Sequence, residues 1–362
     1  MKEDVYTRLG ERLNKNPTRM PLVPEVLGFL QSIFNEEEAQ VGADFPLGSH
    51  PVEALAEAME REPEELRAML ESMADKGLVF SKDKDSGVRE YSLPPFMPGL
   101  IELQLMRGRE DAVEVRQAKL IKKMLDGVEE AVKGLFMMPE KARRVIKPAL
   151  RTLTVEQELP LESGVQPYER VAEVIKAESS FAAAVCHCRQ QAKLTGDPCK
   201  VKDAPSHTCL YFGSAADYVV DRGFASRATR EECMEILEAS EKAGLVHNVS
   251  NFDGDNIVLC NCCGCCCDFM IKMKKYRGVR MVYPSNFAAR IDGDLCIGCG
   301  ECLDRCQVAA ISLDGDAAVI AGEYCIGCGN CATVCPQEAI SMVRCAEKAP
   351  PPRPDFIVGL GV

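Results

Sequence analysis

The deciding stretch reads LCIGCGECLDRCQVAAISLDG at 295–315, followed by YCIGCGNCATVCPQEAISM at 324–342. Each copy carries the spacing C-x2-C-x2-C-x3-C, at Cys296, Cys299, Cys302 and Cys306 and again at Cys325, Cys328, Cys331 and Cys335. The second copy repeats the first at an offset of 29 residues, including the Ala-Ile-Ser that starts at Ala310 and at Ala339. Three thiolates separated by two residues each fall on one tight loop that wraps a corner of an iron–sulfur cubane. Gly298, Gly300, Gly327 and Gly329 lie between them, opening backbone angles closed to other residues and letting N–H groups approach sulfur. Paired C-x2-C also binds zinc, but two complete four-cysteine copies argue for a pair of [4Fe–4S] clusters.

In this spacing the fourth cysteine ligates the other cluster. That rule assigns Cys296, Cys299, Cys302 and Cys335 to one cubane and Cys325, Cys328, Cys331 and Cys306 to the second. Residues 290–345 thereby resemble the bacterial-type two-cluster ferredoxins, which implies a ferredoxin-like domain that carries electrons. One departure is Gln307, where that family has the proline seen here at Pro336. A fixed backbone angle is lost there but no ligand, so the expected effect is small.

With 362 residues the chain is long enough for two or three domains with cores of their own. Its 20 cysteines are far above ordinary usage. No basic start followed by an apolar run is present, and no stretch approaches the ~18 apolar residues that span a bilayer. The cysteines are therefore expected to be metal ligands rather than disulfides, in the cytoplasm of an anaerobic or reducing cell. The formal charge of −12 becomes more negative once thiolate-bound clusters are counted. Such a chain is poorly suited to nucleic acid, which wants a basic face, and better suited to a positively charged redox partner.

Residues 1–47 read as helical, with Leu22, Val26, Phe29, Leu30, Ile33 and Phe34 at helical intervals. From Pro51 one helix places Val52, Leu55, Ala56 and Met59 on a face, and a second from Pro63 turns Leu66, Met69, Leu70 and Met73 inward before Gly77. Short strands Leu78–Phe80 and Val88–Leu93 flank a charged turn. Helix, turn, helix and hairpin resemble a winged-helix module. Its second helix carries Glu64, Glu65, Glu71 and Asp75 against Arg67 and Lys76, a charge balance that groove phosphates repel. A structural or protein-docking role is expected instead of DNA binding. An apolar connector at 94–110, an amphipathic helix at 110–133 and a basic run Lys141–Lys147 follow. Residues 150–159 are expected to form a strand, and Tyr168–Ala177 a helix.

A second cysteine region holds Cys186, Cys188, Cys199 and Cys209, with His187, Arg189 and His207 among them. The set suits a third [4Fe–4S] cluster, with zinc and unligated thiols as alternatives and with either histidine able to replace a thiolate. Arg189 there would offset thiolate charge and raise a cluster's potential. Thr229 and Glu232 make a capping box for a helix whose Cys233 reads as an apolar core residue. Then LCNCCGCCCDF packs Cys260, Cys262, Cys263, Cys265, Cys266 and Cys267 into one loop. Neighbouring cysteines on an extended chain point in opposite directions, so one cubane cannot take them all. Either two metal centres share the loop, or one centre leaves spare thiols. Cys260, Cys262, Cys263 and one of the last three form the favoured ligand set for a further [4Fe–4S] or a larger cluster; zinc and thiol chemistry remain alternatives. Residues 269–291 read as a basic helix and then a strand, and Cys345 has no partner in sequence.

The fold class expected is α+β and multidomain: a helical and winged-helix-like part at 1–95, a helical connector at 96–148, a cysteine-rich α+β domain at 149–289, the ferredoxin-like domain at 290–345 and a proline-rich tail at 346–362. Neither a dinucleotide nor a P-loop fingerprint occurs. The function expected is electron relay through two or more [4Fe–4S] clusters, as subunit or partner of a larger oxidoreductase. The alternatives are an oxidoreductase with a non-standard cluster in the middle domain, and an iron–sulfur redox-sensing regulator.

Overall fold

The computed structural model describes residues 4–16, 18–84, 86–138, 148, 150–155, 171–252 and 257–351. The basic run Lys141–Lys147 and the end of the proline-rich tail lie outside them. Three helices open the chain, Val5–Leu13, Pro24–Ile33 and Glu36–Asp44. Asn35 and Glu38 cap the third reciprocally, satisfying two otherwise orphaned N–H groups. Leu9, Leu13, Val26, Phe29, Leu30 and Phe34 point into a common core.

A short strand, His50–Pro51, leads into helices Val52–Met59 and Pro63–Asp75 and then the hairpin Phe80–Asp83 and Arg89–Ser92. Arg89–Ser92 is the middle of this three-stranded antiparallel sheet. The acidic outer face of Pro63–Asp75 is engaged by the molecule itself. Arg222 reaches Glu71 and Asp75 at 2.8 Å each, and the Tyr218 hydroxyl donates to the carbonyls of Ala74 and Val79 at 3.1 and 2.9 Å.

The connector buries Phe96, Leu100, Ile101, Leu103, Leu105 and Met106 before the long helix Ala112–Phe136, capped by Asp111. Its apolar residues join a core that runs without a break from Leu9 to Val258. The N-terminal helices and the middle sheet are thus packed against each other.

The middle sheet has six antiparallel strands in the order Leu150–Thr152, Val246–Ser250, Val258–Cys262, His207–Phe212, Phe181–Val185 and Ser226–Arg227. Pleat alternation sorts its side chains. Leu210, Phe212 and Leu259 meet the helices Val171–Ala177 and Arg230–Lys242 on one face. Cys209, Tyr211, Val258 and Cys260 meet the N-terminal core on the other. Cys233 is fully buried among Leu237 and its neighbours, and burial pushes its thiol up to about 11.

The basic helix is shorter than the sequence reading, Asp268–Lys275. Gly278 at φ +81° ends any continuation, and the chain runs irregularly to the strand Phe287–Ile291. That strand pairs with Ile340–Arg344, and Ile311–Asp314 pairs with Ala317–Ile320, framing the two C-terminal cysteine loops.

Candidate metal centres

The C-terminal loops bring together the crossed quartets. Cys296, Cys299, Cys302 and Cys335 line one small pocket, together with Ile291, Ala318 and Ile340. Cys306, Cys325, Cys328 and Cys331 face one another in the second set: burial pushes Cys328 well up and Cys331 to about 12, and the negative charge of the other thiolates adds to both. Backbone N–H groups point at the sulfurs, Ala310 at Cys306 (3.2 Å), Ala339 at Cys335 (3.3 Å) and Ala318 at Cys296 (3.4 Å). These are hydrogen bonds that tune a cluster's potential. Gly327, at φ +70°, has no room for a side chain, since a Cβ would sit 2.0 Å from the Phe287 carbonyl oxygen. Four converging soft donors with N–H support suit an iron–sulfur centre in each loop pair.

Ten further cysteines fall into two sets, and the grouping differs from the one expected by order in the chain. Six form a closed ring in which each thiol neighbours two others: Cys186, Cys188, Cys267, Cys262, Cys260 and Cys209, returning to Cys186. Cys209 and Cys260 are direct cross-strand partners. Cys186 immediately precedes the helix His187–Leu194, and Cys267 immediately precedes Asp268–Lys275, neither side chain bonding to its helix end. Hydrogen bonds donated by their ring neighbours hold Cys186, Cys260 and Cys267 well below the usual thiol range, while Cys188, Cys209 and Cys262 are driven up. Six sulfurs, four of them on buried residues, demand a cationic partner when all are deprotonated, so the donor set fits iron or another soft metal.

The remaining four, Cys199, Cys263, Cys265 and Cys266, lie with all their sulfurs within 4.8 Å of one another. Cys199 therefore leaves the set expected with Cys186, Cys188 and Cys209, and Cys263 leaves the set expected with Cys260 and Cys262. Pleat direction explains the second change: Cys260 and Cys262 share a face of their strand, and Cys263 turns to the other side. Cys263 is held down to about 2 by hydrogen bonds from Cys199 and Cys266, with Arg189 adding its charge.

Arg189 stands between the two sets. Its guanidinium donates to the carbonyls of Asn261 (3.1 Å) and Pro205 (2.9 Å) and to the Thr208 hydroxyl. Burial opposes its charge, yet the thiolates of Cys186, Cys263, Cys209 and Cys199 more than restore it. Among the histidines, His187 Nε2 lies 3.2 Å from the Cys188 sulfur, and His207 pairs with the Ser206 hydroxyl at 2.9 Å. The fully buried His247 is shared between Asn261 (2.5 Å) and Glu241 (3.2 Å), away from ligand duty. Cys345 is exposed and donates to the Asn286 carbonyl at 3.5 Å.

Two residues near the centres have roles that the sequence reading missed. Glu102 is buried close to His187 and Cys260; desolvation raises its carboxyl, with His187 and the Gly99 N–H partly opposing. The only signal in sequence is one acid inside the apolar run LIELQL. Gln307 is the second. Its side-chain oxygen accepts the Gly264 N–H at 2.7 Å, tying the Cys306 loop to the cysteine loop of the middle sheet.

The comparisons with known proteins bear on the C-terminal part. Residues 289–342 match the 4Fe-4S dicluster domain. A "Probable ferredoxin" of Methanosarcina thermophila is 57% identical over 28 residues, which is 8% of this chain and 48% of that protein. The chain thus spans about half the length of that curated relative. No solved structure matches the chain. The C-terminal domain is an iron–sulfur domain similar to those of ferredoxins, which indicates electron transfer. No helix among the described residues is long and apolar enough to cross a membrane.

Proposed function

We propose that the chain relays low-potential electrons between a redox partner and the six-thiol centre of the middle sheet, in the cytoplasm, as subunit or partner of a larger oxidoreductase. One observation carries this reading: Cys262 and Cys267 of the ring pack in the same apolar cluster as Cys306, Cys325 and Cys328 of the second ferredoxin quartet. A cluster bound at each place supplies one-electron, outer-sphere chemistry, and the chain's own work is to hold the places close and dry. The first quartet supplies the outer end. Cys299 is exposed, and Leu295 and Ile297 beside it are 50% and 62% exposed, an apolar rim on which a partner can dock.

The relay is tested by reductive titration of anaerobically purified protein, followed by electron paramagnetic resonance. Spin coupling between a ferredoxin-domain cluster and the middle centre is expected; a middle region that holds no redox-active metal defeats the relay.

The ring also favours an oxidoreductase with a non-standard catalytic cluster, because six thiols exceed the four that one cubane takes. The buried Glu102 and His187 beside Cys188 would then stand where a proton is needed. A change in the resonance signal of the middle centre on adding a small-molecule substrate distinguishes this reading from pure relay.

A further inference from the structure

We propose that Cys199, Cys263, Cys265 and Cys266 hold a single tetrahedral metal ion, zinc or a lone iron, and not an iron–sulfur cluster. The sulfur–sulfur distances point to this independently of the relay. Cys199 lies 3.7 Å from Cys263 and 3.6 Å from Cys265, and Cys265 lies 3.7 Å from Cys266, sulfur to sulfur. A tetrahedral ion with metal–sulfur bonds of about 2.3 Å sets its thiolates about 3.8 Å apart. A cubane holds its thiolates off its outer corners, roughly 6 Å apart, with the cluster body between them. The observed edges match the first and exclude the second.

The same molecule supplies the contrast. Among the described residues, this is the one group of three or more ligand atoms drawn within 4.8 Å of one another. No three thiols of the ferredoxin quartets come that close together. The four-thiol site is also closed. Cys263 and Cys266 are buried against Leu245, Cys265 accepts the Lys200 N–H at 3.3 Å, and four sulfurs leave no open coordination position. Closed tetrathiolate sites serve structure. Here the ion would pin the loop 199–204 and the turn 263–266 together, so that Cys262 and Cys267, one residue outside that turn on either side, are presented to the ring.

The test uses the full chain purified without oxygen, with metal and acid-labile sulfide counted in the wild type, Cys199→Ser and Cys265→Ala. Cys265 is partly exposed, so the second variant keeps three ligands and the fold if the first fails. Each variant is expected to lose about one equivalent of zinc, or of iron, with no loss of labile sulfide. Which metal falls tells the two ions apart. X-ray absorption on the wild type, which needs no variant, is expected to show that ion with four sulfur neighbours at about 2.3 Å and no metal neighbour. Loss of about four irons together with sulfide, or no metal change in Cys265→Ala, would overturn the proposal.

Discussion

Cys262 and Cys263 are adjacent in the chain, yet their sulfurs belong to different sets, the first to the six-thiol ring and the second to the four-thiol site. Cys266 and Cys267 divide in the same way at the other end of the loop. The short segment between them is therefore a wall with metal-binding chemistry on both sides, and Arg189 is the positive charge set into it.

A wall of this kind makes neighbouring substitutions act differently. Cys262→Ala is expected to change the iron content and resonance signal of the ring centre. The ferredoxin domain should keep its share of about eight irons. Cys302→Ala and Cys335→Ala are expected each to remove one ferredoxin cluster, and the double variant to remove no more iron than either alone. Additive losses would mean that these two residues serve different cubanes.

Arg189→Met removes the charge that the thiolates of both sets sustain. A cationic neighbour stabilises the more negative, reduced state, so its loss is expected to lower the potential of the ring centre, read by redox titration. Arg189→Lys should recover part of the shift, since a point charge keeps the field but not the forked contacts to Asn261 and Pro205.

Gln307 calls for the opposite of the usual expectation about family residues. Gln307→Pro would restore the residue found in the ferredoxins that this domain resembles, yet it removes the acceptor of the Gly264 N–H. An unsatisfied buried donor costs about 1–3 kcal/mol, so the change is expected to lower the melting temperature and speed amide exchange at Gly264. The companion Gly264→Ala would place a Cβ 2.3 Å from the Gln307 carbonyl oxygen. It is expected to release middle-region metal while the ferredoxin irons remain.

Glu71 tests the seam between the N-terminal hairpin and the middle region. Although burial opposes it, hydrogen bonds from Tyr91, Arg222 and Arg89 leave its carboxyl below its ordinary 4.5. A depressed carboxyl stabilises the fold above its unfolded pKa and loses that contribution as pH falls through the folded value. Glu71→Gln is therefore expected to melt lower than the wild type at neutral pH, with the gap closing as pH drops below about 4.5. A gap that persists in acid would assign the effect to packing.

Local chemistry was legible in the sequence. The doubled cysteine spacing points to the quartets because each ligand set is contained in two short loops. Alternating directions along 260–267 imply two sides to that loop. Membership of the sides was hidden because it depends on long-range register: Cys209 opposite Cys260, and the loop of Cys199 folding over Cys263. Glu102 was hidden for the same reason, since only tertiary packing brings it to His187. The short basic helix at Asp268–Lys275 reflects Gly278, whose left-handed backbone outweighs the continuing pattern of Lys and Arg.

The strand Leu150–Thr152 does not end in solvent. The chain beyond it runs under the second ferredoxin loop, where the Val155 N–H donates to the Cys328 carbonyl at 2.9 Å and the Thr154 hydroxyl donates to the Gly327 carbonyl at 2.8 Å. During synthesis this berth emerges about 170 residues ahead of the loop it receives. The ferredoxin part thus docks on a segment synthesised well before it, and cutting it away would leave bare amides and hydroxyls where its backbone had been.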